Sequence, residues 1–237
     1  MKNIQTPGKV HLSALIRKIR DGEFVIPDFQ RPFEWKPADI DDLITSILQD
    51  YFIGTLLLWR ATSENKLTLS CNNIIGFQNN QVKGNYIVLD GQQRLTALHY
   101  AFIAPPSLYP GYDWRYLWFI DLSKIVDSIE NNNPDVLNDS VIRYYGKNEN
   151  MEKYKSNSKG QIKDKLFPVY LFERNKQYYK WLDAYEDKYG EKERETIENF
   201  FEELLDQFYV SYIELESDIE IPKVCDIFTR INSKGVK

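Results

Sequence analysis

Residues 90–94, Asp-Gly-Gln-Gln-Arg, lie inside "VLDGQQRLTAL" (88–98), where an apolar strand-like run passes into an amphipathic helix-like one. None of the junction residues Gly91, Gln92, Gln93 and Arg94 brings an apolar side chain. The first N–H groups of a helix are free, Gly91 permits close approach, and Arg94 offers a two-pronged guanidinium, a combination that suits a phosphate. A purely structural reading stands beside it: Asp90 caps the helix through the N–H of Gln92 or Gln93, and the Gln93 amide reaches back as a variant capping box. That reading leaves Arg94 unexplained, because a cation in the first turn opposes the helix dipole and an anion relieves the conflict. A Mg²⁺ ion on Asp90, direct or through water, is the rival of the cap, and either Gln92 or Gln93 is suited to orient an attacking water. The stretch matches neither the Walker loop nor the glycine motif of dinucleotide-binding folds.

The elements that must position these residues are legible in the apolar spacing. Leu12, Leu15, Ile16 and Ile19 predict a helix over 11–20, ended by Gly22, with a strand at 23–26 after it. Pro27 stops that strand, and "PDFQRPFEW" is an ordered loop offering Asp28, Gln30 and Arg31 among Phe29, Phe33 and Trp35. A second helix opens at Pro37 with the stripe Ile40, Leu43, Ile44, Ile47 and Leu48, and Gly54 leads into "TLLLWR", a strand apolar enough to need cover on both faces. Further strands are expected at 66–70, 86–89, in "RYLWFIDL" and in "YVSYIEL"; helices are expected at 92–103, 176–189, 191–208 and 221–231, the last stopped by Asn232 and Gly235. Residues 131–165, rich in Asn, Lys and Ser, read as mobile loop.

These elements make an α+β protein: a small mixed β-sheet with flanking helices plus a mainly helical insertion. The expected division is a core over 1–125, the insertion over 126–205 and a return to the core over 206–237, with the natural chain continuing further. The longest apolar run, Thr55–Trp59, is far short of the ~20 residues of a membrane helix, so no membrane partner and a cytoplasmic location are expected. With Cys71, Cys225, His11 and His99 as the whole complement of cysteine and histidine, neither a four-cysteine zinc site nor a histidine-rich nuclease centre can be built. His99 reads as structural. A net charge of −5 excludes nucleic-acid binding driven by overall charge, leaving only a local basic surface such as Lys153, Lys155, Lys159, Lys163 and Lys165.

Three stretches in order, "IPDFQRPFEW" (26–35), "VLDGQQRLTAL" (88–98) and "IFTRINSKG" (227–235), resemble the N-terminal domain of GmrSD-type, modification-dependent restriction enzymes. The resemblance implies a ParB/sulfiredoxin-like fold in which the Asp-Gly-Gln-Gln-Arg turn binds the phosphates of a nucleoside triphosphate with Mg²⁺ and supports hydrolysis, in defence against phage carrying modified DNA. It implies that Asp90, Gln92, Gln93 and Arg94 serve catalysis. By the same resemblance Gly91, Thr96, Gln30, Arg31, Arg230 and Asn232 hold the nucleotide. For Arg31 a stacked structural arginine is the alternative; for Arg230 and Asn232 it is a dipole partner and a helix stop. Relatives carry a separate nuclease domain, so this chain is not expected to cut DNA unaided. The competing classes are an NTP-hydrolysing sensor, a nucleotide-gated DNA-binding module without turnover, and a protein-interaction scaffold. Neither the base nor the oligomeric state is fixed by these residues.

Overall fold

The position of the turn follows from where the apolar residues bury themselves. In the computed structural model, which describes residues 5–78, 82–173 and 175–233, the chain alternates short strands with helices. The strands are β1 (Gln5–His11), β2 (Phe24–Ile26), β3 (Thr55–Arg60), β4 (Asn72–Asn73), β5 (Tyr86–Asp90), β6 (Arg115–Asp121), β7 (Val141–Gly146), β8 (Leu166–Pro168) and β9 (Tyr209–Leu215). The helices of the first half are α1 (Leu12–Arg20), α2 (Pro37–Leu48), α3 (Ser63–Thr68) and α4 (Gln92–Leu98), which runs on as a π-turn to Ile103. Those of the second half are α5 (Leu122–Glu130), α6 (Asn148–Ser156), α7 (Ser158–Lys163), α8 (Lys176–Tyr189), α9 (Glu191–Gln207) and α10 (Ile221–Ser233).

Six strands form a mixed sheet in the order β1-β9-β3-β5-β2-β4. In its centre β3 pairs antiparallel with β5 and parallel with β9, while β5 pairs parallel with β2. Alternate side chains of β3 serve two cores, as its unbroken apolar run requires: Leu56 and Leu58 face the helices α1 and α2, and Leu57 and Trp59 face the side covered by α10. The β3–β5 ladder slips between Leu57 and Leu58, so that Leu57 stands opposite Asp90 and Leu58 opposite Val88. This bulge re-aims the end of β5 immediately before the Asp-Gly-Gln-Gln-Arg turn. A second, antiparallel sheet has the order β7-β6-β8. It is tied to α2 through Asp41, which accepts from Trp118 Nε1 at 2.8 Å and from Arg143 Nη1 at 2.5 Å. The overall class is α+β, as expected.

Several local expectations are corrected. Residues 66–70 are not a strand: Thr62 Oγ1 accepts from the Asn65 N–H at 3.2 Å and Asn65 Oδ1 from the Thr62 N–H at 2.7 Å, a reciprocal cap that starts α3. The polar stretch 131–165, expected as loop, carries a 3₁₀ turn, β7, α6 and α7. Two lysines of the expected basic loop are engaged there, Lys155 with the Ala104 carbonyl and Lys165 with Glu193. Strand β1 was not foreseen, because its register comes entirely from β9 across the sheet edge. Helix α10 continues through Asn232 to Ser233, and Gly235 lies outside the described residues.

Candidate functional site

Gly91 has φ +95°, and a Cβ there would come within 2.3 Å of Leu56 Cδ2. The turn from β5 into α4 therefore requires glycine on both conformational and steric grounds. Gly91 itself is the cap residue of α4, with no side-chain hydrogen bond. The cap expected from Asp90 and the capping box expected from Gln93 are both absent. Instead the half-exposed carboxylate of Asp90 turns to Arg94, with Oδ2 3.4 Å from Nη2.

The polar residues at the junction divide into struts and open groups. Gln93 is a strut: its Oε1 accepts from the Glu34 N–H at 2.9 Å and the Trp35 N–H at 3.4 Å, and its Nε2 donates to the Pro32 carbonyl at 2.9 Å. The loop of the first motif is thereby fastened to α4. Gln30 fastens the same loop to β5, donating from Nε2 to the carbonyls of Val88 (3.1 Å) and Leu89 (2.8 Å) just beyond the end of β2. Arg94 clamps the entry to β3, donating from Nη1 to the Ile53 carbonyl and from Nη2 to the Thr55 carbonyl, each at 2.9 Å. Between those carbonyls lies Gly54, where a Cβ would fall 2.1 Å from Arg94 Nη1. Burial holds the Arg94 guanidinium below its ordinary pKa, and the Asp90 carboxylate opposes that shift.

Gln92 is different. It is 8% exposed, and its Oε1 is buried with no hydrogen-bond partner. It lines a cleft of about 550 Å³ together with Phe29, Gln30, Arg31, Trp35, Asp90, Gly91, Gln93, Arg94 and Phe228. Arg31 is 67% exposed and meets Glu34 only at 3.8 Å. Phe29 is also exposed, and its ring packs edge-on against Phe228 of α10 with centroids 5.0 Å apart. Phe33, by contrast, is core, set against Tyr100 and Tyr109.

Not every expected residue reaches the cleft. Thr96 is buried within α4 and is absent from the cleft lining. Arg230 is exposed on α10, where its Nε donates to Asp226 Oδ1 at 3.0 Å, and it is likewise absent from the lining. The side chain of Asn232 lies outside the described ones. Two participants escaped the sequence reading. Phe228 sits in the third motif beside Arg230 but carries no chemistry that marks it, and Gly54 reads as an ordinary turn before a strand. His99 is buried between Phe77 and Tyr100, away from the cleft. Burial pushes its pKa down to about 4, against the opposing Gly76 backbone, which stands outside hydrogen-bonding geometry.

Among the described residues no group of three or more His, Cys, Asp or Glu side chains is placed to hold a metal ion. Asp90 is the carboxylate of the cleft lining. No helix of the described residues is long and apolar enough to cross a membrane.

Residues 12–237 match the family described as GmrSD restriction endonuclease, N-terminal domain. An uncharacterized protein of Methanocaldococcus jannaschii is 30% identical over 233 residues, covering 96% of this chain and 39% of that protein. The chain thus spans about two fifths of the length of the curated relative it matches.

Proposed function

Because this chain belongs to the family of GmrSD restriction endonuclease N-terminal domains, we propose that its cleft binds and hydrolyses a nucleoside triphosphate, as the sensor part of a defence system against modified foreign DNA. One observation carries the reading: residues from all three motifs, remote in sequence, line a single cleft. Its volume suits a small-molecule ligand. The phosphates would lie against the backbone at Gly91 and Gln92, with the exposed guanidinium of Arg31 turning from Glu34 to the anion. Phe29 and Phe228 offer an apolar wall to a base. Mg²⁺ would be held by Asp90 and the phosphates together, the usual arrangement for an ion that keeps few protein ligands, and would neutralise phosphate charge when bound. DNA recognition belongs to the longer protein of which such domains form part.

A second reading, nucleotide-gated DNA binding without turnover, is favoured by the engagement of Arg94 with the Ile53 and Thr55 carbonyls, which leaves less of its fork for a phosphoryl group. The two readings separate in one experiment. Thermal stability and phosphate release are measured with ATP, GTP, CTP and UTP in the presence of Mg²⁺. A bound nucleotide at ~100 times its dissociation constant adds about 2.7 kcal/mol, and Arg31→Ala is expected to lower affinity roughly tenfold. Stabilisation with steady release supports the first reading, and stabilisation without release supports the second. No stabilisation by any of the four removes both.

A further inference from the structure

We infer that this chain carries a second ligand site, separate from the cleft of the three motifs, that takes an aliphatic polyamine. The site is a cavity where the ends of α2, α5 and α9 meet, with a largely apolar lining whose charged residues are all acids.

The cavity has a volume of about 360 Å³, within the range of sites that hold small molecules. Ile47, Leu48, Leu137, Phe200, Leu204 and Phe208 form its apolar wall. One side is fixed within the chain: Gln49 Nε2 donates to the Pro134 carbonyl at 3.0 Å and to Asn138 Oδ1 at 3.2 Å, tying the end of α2 to the 3₁₀ turn Pro134–Asp139.

Three observations set the sign of the ligand. Each of the three helices enters the lining with its last turn, α2 through Ile47 and Leu48, α5 through Ser128, and α9 through Leu204 and Gln207. A helix C-terminus carries partial negative charge and favours a cation, yet none of these helices has a basic residue in its last turn. The charged residues of the lining, Asp50 and Glu203, are both acids, and neither pairs with a cation among the described residues. Ser128 is 8% exposed, and its hydroxyl has no hydrogen-bond partner among the described residues. A buried polar group of this kind is unfavourable until a partner enters beside it.

The chemistry of the wall narrows the cation. A metal ion is poorly served by a lining of mostly apolar side chains, and the described residues place no group of three ligating side chains anywhere. An ammonium brings three donors and one positive charge. A methylene chain behind it covers apolar surface as the stem of a buried lysine does. Asp50 follows α2 and Glu203 belongs to α9, so a ligand with two or more ammonium groups joined by methylenes answers both carboxylates and the apolar wall between their segments.

Isothermal calorimetry with spermidine, at fixed ionic strength, tests the site on the native chain and on Asp50→Asn, Glu203→Gln and Glu202→Gln, with the melting temperature read on each. The first two keep side-chain shape and remove charge, and Asn tolerates the φ of +57° at residue 50. Glu202 is exposed on the same helix as Glu203 but outside the lining, so its variant removes an equal charge away from the cavity. The expected result is saturable binding at one site, weakened about tenfold or more by Asp50→Asn and by Glu203→Gln and less than about twofold by Glu202→Gln, with MgCl₂ at equal ionic strength failing to displace the amine. No saturable binding to the native chain overturns the inference. Equal weakening by all three variants, or displacement by Mg²⁺, also overturns it, because the amine then answers only to surface charge. Binding that both cavity variants leave unchanged places the amine elsewhere and overturns it too.

Discussion

Gln93 and Arg94 direct their hydrogen bonds at backbone of other segments, and that makes each of them a test of architecture. Truncation of Gln93 leaves the Glu34 N–H and the Pro32 carbonyl without their partners on a side chain that is 7% exposed. Gln93→Ala should cost about 2 kcal/mol, which for a chain of this size lowers the melting temperature by roughly 4–8 °C. A scan showing no change would mean that the loop of the first motif holds its place without the amide. Gln92→Ala removes no hydrogen bond in the described structure and takes away a buried carbonyl that has no partner, so it should change the melting temperature far less than Gln93→Ala does. Adjacent residues of one type thus predict different phenotypes. Nothing in the pair Gln-Gln itself distinguishes them; the distinction comes from which amide the loop reaches.

Among the elements, the junction of α2, β3 and α4 depends on one guanidinium. Arg94 bridges the Ile53 and Thr55 carbonyls across Gly54 and meets Asp90 at the end of β5. Arg94→Ala should lower stability by about 3 kcal/mol and hasten amide exchange at the start of β3, and Arg94→Lys should fail to restore either, because an ammonium lacks the planar fork that spans two carbonyls. Denaturant titration with exchange mass spectrometry reads both effects. Unchanged protection would show instead that Arg94 is held in reserve for a ligand. At this scale the sequence spoke clearly where burial was continuous or periodic: the stripe Ile40 to Leu48 makes α2, and "TLLLWR" makes a strand covered on both faces. It spoke poorly for α3, whose start depends on the reciprocal contact of Thr62 and Asn65, and for β1, whose conformation is supplied by β9.

For the molecule as a whole, His99 sets an acid limit. Above pH 6.5 its imidazole is neutral in the folded and unfolded states alike and makes no difference to stability. Below that, the unfolded chain takes up a proton that the folded chain refuses until about pH 4, so stability falls with acid across that window. The loss amounts to about 3 kcal/mol by pH 4. His99→Leu should flatten that part of the pH profile, and an equally steep profile in the variant would assign the acid sensitivity to other groups. The two sheets are also joined at this scale, through Asp41 of α2 and its partners Trp118 and Arg143. Burial raises the Asp41 pKa despite both partners, so this joint is held by a carboxylate kept partly from water.

The sequence by itself determined the α+β class, the main helices, the central strands and the residues around which a site must form. Apolar periodicity, Pro37, the freedom of Gly91 and the residue types of the turn are local properties, and local properties survive in one dimension. Tertiary structure alone decided what each polar group does. Asp90 faces Arg94 instead of capping α4, Gln93 and Gln30 hold a loop, Arg94 holds a strand, and Thr96 and Arg230 stay outside the cleft. Phe228 joins Phe29 only because α10 covers the far face of the sheet. A hydrogen bond is a relation between two groups whose separation along the chain is arbitrary, so its existence, and the orphaned carbonyl of Gln92 left beside it, had to await the folded form.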